Sequence, residues 1–170
     1  MPEKQVKSAI KLLKQGKVVI FPTDTAYGLG CKFNSRAGIN KILKLKKRTD
    51  RKFTVVASSL NQVQKYFKLT SAQIKYVKQY WPGPLSLVVN NQFAVRVPDN
   101  LLTRKLAQAA GCPLIATSCN FTGKKTIYDL KDLELDQQRI DYIIDAGRLK
   151  KQKTSKVVKL ENNQIIIIRK

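Results

Sequence analysis

Val18-Val19-Ile20-Phe21 is an apolar run that stops at Pro22 and gives way to Thr23-Asp24-Thr25-Ala26-Tyr27-Gly28-Leu29-Gly30. Four apolar residues bounded by proline and glycine read as a buried strand that must be covered on both faces. The small residues after it read as a loop at the strand's exit. The glycines there allow a ligand to come close to the backbone, and the threonines offer short hydroxyl donors and acceptors. Taken alone, the stretch fits a binding edge or a tight surface loop equally well.

The surrounding pattern narrows the fold class. Val6, Ala9, Ile10, Leu12 and Leu13 are spaced for a helix over 4–15 that Gly16 closes. Ser35 caps a second helix in which Ile39, Ile42, Leu43 and Lys46 share a face, and the basic loop 46–52 follows it. A strand at 53–57 precedes two short helices, 60–67 and 70–80, capped by Ser59 and Thr70. Trp81-Pro82-Gly83-Pro84 then stops the second of these, because proline cannot continue a helix. Segments 85–89 and 93–97, joined at Asn90-Asn91, read as an antiparallel pair, as do 156–160 and 164–169 joined at Asn162-Asn163. Between the pairs come a helix over 101–110, a strand at 114–117, a weakly helical segment at 129–134 and a strand at 142–144. The strand at 114–117 also breaks into a small polar loop, Ser118-Cys119-Asn120-Phe121-Thr122-Gly123. Helices alternating with hairpins exclude an all-parallel sheet. The expected fold is α+β, a mixed, twisted open sheet with helices on both faces, in one domain over 1–170.

Charge and absences bound the chemistry. The chain carries 33 Lys and Arg against 11 Asp and Glu, a formal net charge of +22 that draws nucleic acid or polyphosphate. Lysine supplies most of that charge, which also suits solvated faces, and no aromatic or zinc-finger signature points to specific RNA recognition. With no histidine, Ser-His-Asp and Cys-His catalysis and His-ligated metals are excluded. Cys31, Cys112 and Cys119 are odd in number and without CxxC spacing, so they read as packed, reduced thiols. No run approaches a membrane span and Met1-Pro2-Glu3-Lys4 begins no signal peptide, so a soluble, cytoplasmic chain without a membrane partner is expected. Asp129, Asp132, Glu134 and Asp136 lack anything to complete a metal shell and read as surface charge. The loop 46–52 is dense enough in cations for a triphosphate, although it is not a P-loop, and Gly28-Leu29-Gly30 is not a dinucleotide fingerprint.

Several blocks, in order, resemble the YrdC-like family, the L-threonylcarbamoyladenylate synthases. Pro22-Thr23-Asp24-Thr25-Ala26-Tyr27-Gly28-Leu29 is similar to that family's PT(E/D)TxYGL signature, Lys46-Lys47-Arg48 to its KxR, and Trp81-Pro82-Gly83-Pro84-Leu85-Ser86 to its WPGPLT. Ala94-Val95-Arg96-Val97-Pro98, Thr117-Ser118-Cys119-Asn120 with Gly123, Ser155-Lys156-Val157-Val158 and the closing Ile168-Arg169 continue the resemblance over nearly the whole chain.

The resemblance implies a short, single-domain, three-layer member of the family, a nucleotidyltransferase that makes threonylcarbamoyl-AMP and pyrophosphate from L-threonine, bicarbonate and ATP, with Mg²⁺ accompanying the ATP. The product would serve tRNA modification next to the anticodon through separate transfer proteins. Thr25, Arg96 and Ser155 would hold L-threonine. Lys46, Arg48, Lys52, Ser118, Asn120, Thr126 and Arg169 would contact ATP, with Lys46, Arg48 and Lys52 acting electrostatically rather than as acid or base. The chain departs from the family pattern at Phe53 (usually proline), Ala57 (a polar residue), Ser86, Cys119 and Lys156 (a threonine). The alternative is a non-catalytic, basic RNA-binding or ribosome-maturation protein.

Overall fold

A computed structural model of the chain describes residues 3–161 and 164–169. Its strands are β1 (Val19–Pro22), β2 (Tyr27–Gly30), β3 (Phe53–Val56), β4 (Leu85–Val88), β5 (Phe93–Arg96), β6 (Leu114–Ile115), β7 (Thr117–Ser118), β8 (Tyr142–Ile143), β9 (Lys156–Glu161) and β10 (Gln164–Arg169). They form two mixed sheets, ordered β7-β2-β1-β8 and β10-β9-β4-β5-β3-β6.

The sheets share one stretch of chain. Leu114 and Ile115 pair with Val56 and Val55 of β3, and Thr117 and Ser118 pair with Leu29 and Gly28 of β2. The Ala116 N–H donates to the Thr54 carbonyl at 2.9 Å, whereas the Ile115 N–H donates to the Cys31 carbonyl at 2.8 Å. Residues 114–118 thus bond to both sheets, and the open mixed sheet expected from the pattern is built as two sheets stitched there. Gly30 permits the join, since a Cβ at that position would lie 1.9 Å from the Ile115 carbonyl oxygen.

One reading is corrected. The stretch after Pro22 is not a long loop, because β1 and β2 form an antiparallel hairpin from Val19 opposite Gly30 to Pro22 opposite Tyr27. Two glycines in four residues hide β2 from a propensity argument. Pairing on both of its edges makes it a strand.

Helices α1 (Glu3–Lys14), α2 (Arg36–Leu45), α3 (Leu60–Tyr66), α4 (Ser71–Val77) and α5 (Leu101–Ala109) cover the sheets. Period-two alternation on β1 explains their placement. Val19 and Phe21 pack with Val6, Ala9 and Leu13 of α1 and Leu106 of α5, whereas Val18 and Ile20 join Ile39 and Ile42 of α2. Val77 of α4 packs on Leu85, Leu87 and Val158. Ser35, Ser59 and Thr70 each accept an N–H from three residues on, so the expected caps are present. The weakly helical segment is reduced to a 3-10 turn at Leu130–Asp132. The turn expected at Asn162-Asn163 lies outside the described residues.

Candidate active site

Seven separate segments reach one cavity of about 380 Å³, and all ten residues singled out from the sequence line it: Thr25, Lys46, Arg48, Lys52, Arg96, Ser118, Asn120, Thr126, Ser155 and Arg169. Lys124, Thr54 and Thr122 also line it and were missed. Lys124 follows the Gly123 of a recognised block by one residue, and that spacing was the available signal. Among the described residues, six cations and no carboxylate line the wall, and two of the six, Arg96 and Arg48, are paired with Asp24 and Asp50. Such a lining favours a polyanion.

Arg96 ends β5 and is 4% exposed. Its Nη1 lies 2.9 Å from Asp24 Oδ1 and donates to Oδ2 at 3.0 Å, while Nη2 donates to Thr25 Oγ1 at 3.3 Å. Burial lowers the arginine's pKa and Asp24 works against that shift. The 23–26 turn that presents Asp24 and Thr25 is knotted by Thr23. Its Oγ1 accepts the N–H groups of Thr25 and Ala26 at 3.2 Å and donates to the Ala26 carbonyl at 2.7 Å.

Lys46, the residue after α2, is 3% exposed. Its Nζ donates to the Ser118 carbonyl at 2.6 Å and to the Asn120 carbonyl, with Asn120 Oδ1 at 3.3 Å. Burial is the main cause that pulls its pKa down to about 8. The ammonium therefore shapes the 118–120 loop as well as charging the wall. Asn120 is engaged in the same way. Its Oδ1 accepts from Ser118 Oγ at 2.5 Å and its Nδ2 donates to the carbonyls of Lys124 and Lys125.

Arg48 is held on both edges, by Asp50 and by the Lys52 carbonyl, with its guanidinium carbon 5.0 Å from the centre of the Phe53 ring. The Asp50 carboxyl falls to about 2, chiefly through its hydrogen bond from Arg48. Phe53 opens β3, and its N–H donates to the Gln92 carbonyl at 2.8 Å. A proline could not make that bond.

Ser155 is also buried, with its Oγ 3.1 Å from Ser86 Oγ. Arg169 donates to the Ser155 carbonyl from Nη2 at 2.9 Å and from Nε at 3.2 Å, and to its Oγ at 3.2 Å. A register shift between Ile167 and Arg169 sets Arg169 opposite Val157. Lys156 is exposed, so the hydroxyls at this wall are those of Ser155 and Thr154. Ala57 is buried and lies outside the lining.

The geometry offers a guanidinium beside a threonine hydroxyl. The cations Lys46, Arg48, Lys52, Lys124 and Arg169 line the same cavity. A carboxylate fits the first and a phosphate chain the second.

The chain is similar to several known proteins. The sequence model of the Sua5/YciO/YrdC family, described as telomere recombination, matches residues 11–170. The threonylcarbamoyl-AMP synthase of Neisseria gonorrhoeae is 32% identical over 158 residues, 84% of this chain and 83% of that protein. The threonylcarbamoyl-AMP synthase of Vibrio campbellii is 30% identical over 181 residues, 96% of this chain and 98% of that protein. A solved structure of P. abyssi Sua5 complexed with L-threonine superposes with a TM-score of 0.89 at 27% identity. That match covers 99% of this chain and 54% of the Sua5 chain, so this chain spans about half of that protein.

Proposed function

The chain belongs to the Sua5/YciO/YrdC family, and from that premise we propose that it is a threonylcarbamoyl-AMP synthase. It joins L-threonine, bicarbonate and ATP into threonylcarbamoyl-AMP, pyrophosphate and water, acting as one domain in the cytoplasm. The observation that carries this reading is a wall on which, among the described residues, six cations and no carboxylate stand, with Arg96 set beside Thr25.

The chemistry suits a site without histidine. The threonine amine and bicarbonate give a carbamate, an anion that attacks the α-phosphorus of ATP as the bond to pyrophosphate breaks. That step needs two anions held in line and developing charge neutralised, not a general base. Thr25, Arg96 and Ser155 hold threonine, with the Arg96 guanidinium taking its carboxylate. Lys46, Arg48, Lys52, Ser118, Asn120, Thr126 and Arg169 face the nucleotide, and Lys124 adds a further cation.

Mg²⁺ would arrive with ATP, but the donor set does not fit an ion held by the protein. Hydroxyls, an amide and cations line the cavity, and among the described residues no three His, Cys, Asp or Glu side chains come together. The lysines and arginines of the wall are placed to neutralise charge on the phosphates. The product would pass to separate tRNA-modifying proteins.

The test is pyrophosphate release by the purified chain with each substrate omitted in turn. Release that requires ATP, L-threonine and bicarbonate together is expected. Release that is unchanged without threonine, or absent with all three, overturns the reading. The RNA-binding alternative rests on the +22 charge. It predicts salt-sensitive tRNA binding with no nucleotide or threonine binding.

A further inference from the structure

Building on the synthase reading, we propose that Asp24 is a positioning residue for the substrate carboxylate. It holds the Arg96 guanidinium beside Thr25 and so sets where an α-carboxylate docks.

Asp24 is fixed from two directions. The Thr23 hydroxyl knots the turn that carries it, and the Asp99 N–H, just beyond β5, donates to Asp24 Oδ2 at 3.2 Å. A carboxylate anchored in this way cannot follow a wandering guanidinium, so the arginine must conform to it. Asp24 takes Nη1 and its neighbour Thr25 takes Nη2, so two consecutive residues of one rigid turn grip both terminal nitrogens. With side-chain exposures of 5% for Arg96 and 10% for Asp24, water competes little for the pair.

Charge balance points the same way. Arg169 is close enough to Arg96 to lower its pKa by like charge, and among the described residues Asp24 is the one carboxylate paired with either arginine. Asp24 therefore offsets the repulsion of the neighbouring guanidinium and keeps Arg96 charged where it is buried. A guanidinium carries five N–H donors, and those left over by Asp24 and Thr25 remain for the ligand. Without Asp24, the substrate would have to orient Arg96 as well as bind it.

The test compares the unaltered chain with Asp24→Asn, which keeps the shape but not the charge. Asp24→Glu, which keeps the charge and moves it by one methylene, is the second variant should the first fail to fold. Calorimetric binding of L-threonine and the separate KM values for threonine and ATP are the readouts. In Asp24→Asn, assayed at a temperature where it is folded, the threonine KM rises about tenfold or more while the ATP KM stays near that of the unaltered chain, the split expected of lost alignment at one substrate. Asp24→Glu raises the threonine KM by about threefold or more on the same grounds. A folded variant whose threonine KM is unchanged or lower, or whose two KM values rise together, overturns the assignment and leaves the synthase reading standing. An unaltered chain that binds no L-threonine overturns both.

Discussion

The Lys46 ammonium lies 2.6 Å from the carbonyl oxygen of Ser118, a residue 72 positions away, and is buried there while also lining the cavity. One side chain therefore shapes a binding loop and charges the wall that the loop forms. Burial brings its pKa to about 8, so its charge is lost within an ordinary assay range.

Nucleotide affinity should therefore fall as pH rises from about 7 to about 9, because the neutral amine supplies neither the charge nor the third N–H. Unfolding does not explain such a fall. The folded pKa lies below the unfolded value of about 10.4, so this group makes the chain more stable as pH climbs through that interval. Titration calorimetry with a non-hydrolysable ATP analogue checks the prediction. Lys46→Met should bind more weakly at neutral pH, by about 1.5–3 kcal/mol, and show no such inflection.

Phe53 supports Arg48 from below. Phe53→Leu keeps most of the buried volume and removes the aromatic face, so the ATP KM should rise by a few-fold, in line with about 0.5–1 kcal/mol for the cation–π contact. The melting temperature should move little. Phe53→Ala should instead destabilise the chain by about 3–5 kcal/mol, read by urea denaturation.

Gly30→Ala sets a methyl group against the Ile115 carbonyl at the seam between the sheets. Backbone must move to admit it, at a cost of about 1–3 kcal/mol or more. Because residues 117 and 118 hang from that seam, threonine and nucleotide binding should both weaken with the loss of stability. Chemical denaturation and calorimetry on the same sample check the link.

Tyr27 is 1% exposed, and its hydroxyl donates to the Gly147 carbonyl at 2.7 Å and accepts the Ala146 N–H at 2.9 Å. Tyr27→Phe should cost about 1–3 kcal/mol, because that N–H loses its acceptor. Amide exchange at Ala146 should quicken while exchange in α1 keeps its protection relative to global stability. Equal loss in both would show that the hydroxyl stabilises the whole fold rather than the 145–147 turn.

Much of the architecture was legible in the chain. The caps at Ser35, Ser59 and Thr70 act over three residues, and the alternation of Val18 to Phe21 shows two faces within one strand. β2 was not legible. Tyr27-Gly28-Leu29-Gly30 has the composition of a loop, and the strand exists because residues 114–118 and β1 pair with its two edges. The site residues were chosen by resemblance, and a shared cavity is a fact of the fold that no local pattern contained. Lys124 was overlooked because one lysine among 25 carries no mark until a wall is built around it.

The amino-acid sequence by itself determined what is settled over a few residues: the helix caps at Ser35, Ser59 and Thr70, the two faces of β1, and the exclusion of histidine chemistry. It also determined the excess of positive charge, since that sum needs no coordinates. Only the tertiary structure decided which charges are paired, buried or left for a ligand. Arg96 meets Asp24 across 72 positions and Lys46 meets Asn120 across 74. The strength of such contacts depends on the water that folding removes from around them, and that loss is a property of packing rather than of residue order.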